Sequence, residues 1–189
     1  MNLPKLYTIS GVDGSGKSTV ARLLKEEFMK KNKRARIVHG GGVIGTASAP
    51  KNPISPELGF IIFLKDYLQM LFQYLISIGS YDTLIFDRFL YDSTIKITYK
   101  QGISRMPEFY LRLISALFPQ PTVSFLLVLP PSLSQERDLG HSRNYHLIKD
   151  RLYRELPKHL PLVTIDASKP LKEVFSNVRR FIRGDYESL

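Results

Sequence analysis

The sequence predicts an α/β sandwich: a parallel sheet with helices on both faces. Three observations point there. Short apolar runs alternate with segments of helical spacing along the whole chain. A glycine-rich turn joins the first apolar run to the first helical segment. Thr122 to Leu129 is almost continuously apolar, as a parallel strand covered on both faces must be.

Lys5 to Ser10 reads as the opening strand, and Thr19 to Phe28 sets Val20, Leu23, Leu24 and Phe28 at helical spacing. Arg36 to His39 is a second strand, running into Gly40, Gly41 and Gly42 and a loop rich in Gly, Ala, Ser and Pro up to Pro56. Glu57 to Ile78 is a long helix closed by Gly79-Ser80. Thr83 to Asp87 is a third strand, apolar and then acidic at its end. Arg88 to about Lys100 and Pro107 to Leu117 read as helices. After the run from Thr122, Pro130-Pro131-Ser132 turns the chain into a polar segment, Gln135 to Asn144. A helix from Tyr145 to Leu156, a strand from Leu162 to Ile165 and a helix from Pro170 to Ile182 complete the order. With 189 residues and no internal repeat or linker, residues 1–189 suit a single domain.

Composition narrows the function. There is no cysteine, which excludes disulfides, thiolate metal sites and cysteine nucleophiles and fits a cytoplasmic protein. The first strand starts within a few residues of Met1, so no signal peptide is expected. Lys65, Asp66, Gln69 and Gln73 interrupt the most apolar helix, Phe60 to Ile78, and argue against a membrane span. That helix reads either as a core element or as the interface of a homodimer. The net charge is +10. It suits a cleft that handles polyphosphates, or a solvated basic surface; without a recognised nucleic-acid module, nucleic acid is not an expected partner. His39, His141, His146 and His159 show no paired metal-ligand spacing.

The chemistry concentrates in Gly11-Val12-Asp13-Gly14-Ser15-Gly16-Lys17-Ser18, which fits G-x-x-x-x-G-K-[ST] between a strand and a helix. Such a loop turns successive backbone N–H groups and a helix N-terminus toward a phosphate chain. Lys17 is placed to reach the β- and γ-phosphates of ATP, and the Ser18 hydroxyl to bind Mg²⁺. In a parallel sheet the ligands gather beyond the carboxyl ends of the strands, so this loop, the segment after His39 and Asp87-Arg88 share one edge. There Asp87 can orient Mg²⁺ and Arg88 can grip a phosphate by its bidentate fork.

Together with Thr19, Phe89, Asp92-Ser93 and Ile165 to Val174, these residues resemble thymidylate kinases over nearly the whole chain. The resemblance implies a three-layer P-loop fold with a five-stranded parallel sheet and a mobile lid, here about residues 132–146. It implies transfer of the γ-phosphoryl of ATP-Mg²⁺ to deoxythymidine monophosphate, a step of nucleotide biosynthesis. By the same resemblance Asp13 meets the acceptor's sugar hydroxyl and orients the arginine, Arg88 holds the acceptor phosphate, and Phe63 stacks on the base. Ser93 falls where a small polar residue meets the base, and Asp166 to Pro170 lies near the adenine. Catalytic arginines are expected in the lid, at Arg137 and Arg143, with Arg151 behind them.

The chain departs from the family's pattern at several points. Val38-His39-Gly40-Gly41-Gly42 stands for Arg-Glu-Pro-Gly-Gly. Tyr67, near Lys65, replaces the base-reading arginine, and Lys96 replaces the tyrosine that guards against a ribose, with Tyr99 and Gln101-Gly102 nearby. A kinase of another pyrimidine nucleotide or nucleoside therefore remains the alternative, with a nucleotide-dependent switch behind it.

Overall fold

The computed structural model describes residues 3–40, 53–102 and 107–183. Five strands, β1 (Lys5–Gly11), β2 (Ala35–His39), β3 (Thr83–Asp87), β4 (Val123–Val128) and β5 (Leu162–Asp166), pair in parallel in the order β2-β3-β1-β4-β5. The helices are α1 (Lys17–Lys30), α2 (Pro56–Leu75), α3 (Leu90–Lys100), α4 (Glu108–Leu117), α5 (Pro131–Arg137), α6 (Arg143–Glu155) and α7 (Leu171–Arg183). Most of the loop expected between Gly40 and Pro56, including Gly41 and Gly42, lies outside the described residues.

Strand periodicity shows why helices cover both faces. Tyr7 packs on Phe28 of α1, and Phe125 on Phe181 of α7. One residue out of phase, Ser10 donates to Asp92 of α3, and Ser124 shares a hydrogen bond with Tyr91 of α3. The register pairs Ile9 with Phe125 and Thr8 with Ser124, so each set stays on its own face. β1 and β3 are buried almost throughout, whereas the edge strands β2 and β5 show exposed positions. Here the even-handed apolar pattern of the central strands has its cause.

Local chemistry sets the helix starts. Ser55 accepts from the Leu58 amide ahead of Pro56, and Ser142 accepts from the Tyr145 amide, both at 3.3 Å. The Asp92 carboxylate accepts from the Phe89 amide at 2.9 Å and so fixes the first turn of α3. The polar segment after β4 is more ordered than its composition suggests. Pro131 occupies the first position of α5, where a missing N–H costs nothing, so the chain continues as helix instead of turning away. The expected lid span therefore comprises α5, a short link and the first turn of α6.

At the sheet's carboxyl edge β2 and β3 come unusually close. The Gly40 amide donates to the Asp87 carbonyl at 2.9 Å, and a Cβ at residue 40 would overlap the Arg88 carbonyl. Gly40→Ala is therefore expected to lower stability by about 1–3 kcal/mol through overpacking, read from urea denaturation midpoints. A midpoint equal to the parent's would show that the two strand ends can separate freely.

Candidate active site

The glycine loop closes over the ammonium of its own lysine. Lys17 is buried and donates to the carbonyls of Gly11 at 2.9 Å and Val12 at 2.6 Å, leaving a third donor for a phosphate. Gly16 starts α1 with φ of 85°, a left-handed conformation open to glycine at little cost. Behind it lies the N-terminus of α1, with Ser18 exposed, Thr19 half-buried and no side-chain cap at Gly16.

A single carboxylate joins this loop to the rest of the site. Asp13 Oδ1 accepts from Arg88 Nη2 at 2.7 Å and stands 3.9 Å from Lys17 Nζ, while Oδ2 accepts from the Tyr145 hydroxyl at 2.7 Å. Burial by itself would raise this carboxyl. The charges of Lys17 and Arg88, with hydrogen bonds from Arg88 and Tyr145, instead hold it well below the usual carboxylate range. Burial, then the Asp13 charge, pushes the Tyr145 phenol far up. Arg88 has φ of 70°, rare outside glycine, and its amide donates to the Ile9 carbonyl. The strained turn after β3 thus aims the guanidinium back across β1 to the loop.

The expected lid packs on the same loop. The Ser134 hydroxyl donates to the Asp13 carbonyl at 2.7 Å, and its oxygen lies 2.8 Å from His146 Nδ1. A carbonyl only accepts, so the hydroxyl proton goes to Asp13 and His146 Nδ1 must donate to Ser134. Arg137 Nη1 reaches the carbonyls of Gly14 at 3.3 Å and Ala167 at 3.4 Å, tying the loop to the turn after β5. Arg143 is exposed at the first turn of α6, where its side chain has no partner among the described residues.

Oxygen ligands for a divalent cation are present. Asp87 is buried, one oxygen lying 3.2 Å from His39 Nδ1 and the other, Oδ1, without a partner among the described residues. The other expected oxygen ligand, the Ser18 hydroxyl, is on an exposed residue at the start of α1. No group of three or more His, Cys, Asp or Glu side chains gathers among the described residues. That pattern fits Mg²⁺, which takes one or two protein oxygens and completes its shell with phosphates and water.

The residues expected at the base divide. Ser93 is buried and donates to Asp66 Oδ2 at 2.7 Å, linking α3 to α2. Lys96 lies on the same flank; burial, with the nearby Lys100 charge, lowers its pKa. Phe63 is 2 % exposed and packs on Tyr110, ring centroids 4.8 Å apart. The Tyr67 hydroxyl donates to the Leu117 carbonyl at 2.9 Å, which directs it to the end of α4.

Several polar groups of the site were not singled out from sequence, and Asp92 was noted there without a role. Tyr145, Lys149 and Tyr153 recur every four residues, a spacing that reads equally well as a helix face packed on the core. The Asp92 carboxylate accepts from Ser10, the Phe89 amide and Tyr153, and so ties β1, α3 and α6 together. Burial lowers Lys17 and Lys149 each to about 8; Arg88 adds to the fall at Lys17, and Asp13 and Asp92 oppose both shifts.

Comparison with known proteins follows this geometry. Residues 9–178 match the family model described as Thymidylate kinase. The chain is 30 % identical over 190 residues to a probable thymidylate kinase 1 of Saccharolobus solfataricus, covering 96 % of this chain and 98 % of that protein. It is 27 % identical over 189 residues to a probable thymidylate kinase of Archaeoglobus fulgidus, covering 95 % of each. Among solved structures, deoxyadenosine kinase from M. mycoides with bound dATP shares the fold, with a TM-score of 0.57 at 16 % identity over 95 % of this chain and 99 % of that one.

The two buried lysines give the nucleotide-free protein a pH signature. Between about 8 and the ordinary lysine value of 10.5 the folded chain holds fewer protons than the unfolded chain. Stability from these groups therefore rises with pH across that window. Thermal melts at pH 7.5 and 9.0 are expected to favour the higher pH in the parent, and the Lys17→Met/Lys149→Met double variant is expected to lose that difference. A parent no steadier at pH 9.0 relative to the double variant would contradict the burial of two unfavourable charges.

Proposed function

The chain belongs to the thymidylate kinase family, and from that premise we propose that it phosphorylates deoxythymidine monophosphate to the diphosphate with ATP as donor. The observation that carries this reading is the Asp13 junction, where the lysine of the donor loop and the arginine after β3 meet on one carboxylate. A kinase must bring two polyphosphates together in line, and the junction supplies one cation for each.

In the reaction an oxygen of the acceptor phosphate forms a bond to the γ-phosphorus, the bond from that phosphorus to the β–γ bridging oxygen breaks, and ADP leaves with the electron pair. Lys17 and the loop amides hold the donor's β- and γ-phosphates, and Arg88 holds the acceptor phosphate. Asp13 meets the sugar hydroxyl of the acceptor while fixing the direction of Arg88. Ser18 and Asp87 would hold Mg²⁺, which, when bound, neutralises charge on the donor phosphates. Arg143, unpaired and exposed, is free to swing onto the moving phosphoryl group. Arg137 is braced on two carbonyls and keeps the lid seated on the loop.

The base lies between α2 and α3, with Phe63, Tyr67, Ser93 and Lys96 as the candidate contacts. A second reading, a cytidine nucleotide as acceptor, rests on Asp66, whose carboxylate can accept a hydrogen bond from the amine of cytosine as well as from N3–H of thymine. We assign the reaction to the cytoplasm. A homodimer is the proposed assembly, since Ile61, Leu64, Leu68, Phe72 and Leu75 form an exposed stripe along α2. In solution Leu68→Glu is expected to halve the mass seen by light scattering, and a parent that is already a monomer would remove the dimer.

An acceptor panel tests the activity. ADP release with ATP-Mg²⁺ is expected to rise with thymidine monophosphate, ahead of the deoxyuridine, uridine and cytidine monophosphates. Stronger turnover of the cytidine nucleotide would move the enzyme to the second reading, and no acceptor-stimulated ADP at all would remove the kinase. Arg143→Ala is expected to lower kcat about a hundredfold with the KM for ATP within a few-fold, since its contact forms only in the transition state. Equal losses in both constants would place the residue in ground-state binding instead.

A further inference from the structure

Lys149 of α6 belongs to no motif of the sequence, yet it is 7 % exposed. Its ammonium has neither a hydrogen-bond acceptor nor an ion-pair partner among the described residues. It rests over the rings of Tyr99 and Tyr145, 5.8 and 5.5 Å from their centroids. Two cation–π contacts recover less than a buried, unpaired ion loses in hydration. An anion beside this ammonium would make up the difference.

The nearby carboxylates are already taken. Asp13 is divided between Arg88 and Tyr145, and Asp92 among Ser10, Phe89 and Tyr153. The ammonium lies over the ring of Tyr145, whose hydroxyl donates to Asp13, so it stands near the junction and is largely covered. Lys17 is committed to the donor loop by its two carbonyl bonds. Tyr145, one turn before Lys149, bonds the same carboxylate that Arg88 grips. An anion delivered to Arg88 therefore arrives beside the ring on which Lys149 lies.

We propose that Lys149 binds the phosphate of the acceptor nucleotide, as the second cation beside Arg88. Arg88 is neutralised by Asp13, so it offers a fork of donors but little net charge to a dianion. Lys149 supplies the missing positive charge from α6. This assignment rests on the kinase reading above and adds a residue to its acceptor site.

Calorimetric titration of the whole protein with thymidine monophosphate, thymidine and ATP-Mg²⁺ tests it, for the parent, Lys149→Met and Lys149→Gln. Removing an unpaired buried charge leaves the fold intact, and the two variants differ in polarity, so a failure of one to fold leaves the other. A charged hydrogen bond corresponds to a loss of about tenfold to a hundredfold in affinity for thymidine monophosphate, with thymidine and ATP each within twofold. The KM for the monophosphate is expected to rise in step. Equal losses for thymidine and its monophosphate would make Lys149 a support for Tyr145 only, and a loss confined to ATP would move it to the donor; either overturns the proposal, as does unchanged binding. A parent that phosphorylates no nucleoside monophosphate would instead overturn the kinase reading itself, a result visible before any variant is made.

Discussion

The structure turns on the carboxylate of Asp13. Its two oxygens collect Arg88 from the turn after β3 and Tyr145 from α6, while the charge of Lys17 faces it across the loop. Each of these groups would be expensive to bury alone. As a set they lower one another's cost, because a hydrogen-bonded charge pair in a poorly solvated cleft keeps most of its Coulomb energy. The same contacts set distances: donor loop, acceptor grip and lid helix are all referred to one side chain.

That arrangement is possible because five parallel strands end at one edge. The strand periodicity that covers the sheet with α1 and α7 on one face and α3 on the other also fixes which residues emerge at the rim. Gly11 and Asp87 terminate neighbouring strands, so the loop and Arg88 start next to one another before any side chain is placed. Beneath them Asp92 fastens β1, α3 and α6, which keeps the rim from shearing.

Much of this was legible in the chain. The glycine loop is short-range and nearly self-specifying, and apolar runs mark the strands, most plainly β1, β3 and β4, where burial on both faces leaves little freedom in composition. Asp87 and Arg88 could be found because they follow an apolar strand directly. Tyr145 and Lys149 could not, and Asp92 was noted without its role, since these roles depend on which helix crosses which, and a polar residue at helical spacing looks the same whether it faces water or a cleft. Tyr67 was legible only by its position in the resemblance; that its hydroxyl reaches the carbonyl end of α4 is a contact between elements fifty residues apart, which no local pattern shows. Pro131 misled, since proline punctuates chains far more often than it opens a helix.

Arg88 sits where glycine would be at ease. Holding an L-residue in the left-handed region costs about 1–2 kcal/mol, a noticeable share of what keeps a domain of this size folded. Glycine at 88 would relax the backbone while removing the guanidinium that the cleft is built around, and with it the partner that offsets the burial of Asp13. At this residue the ease of the main chain and the usefulness of the side chain pull in opposite directions, and the side chain has prevailed.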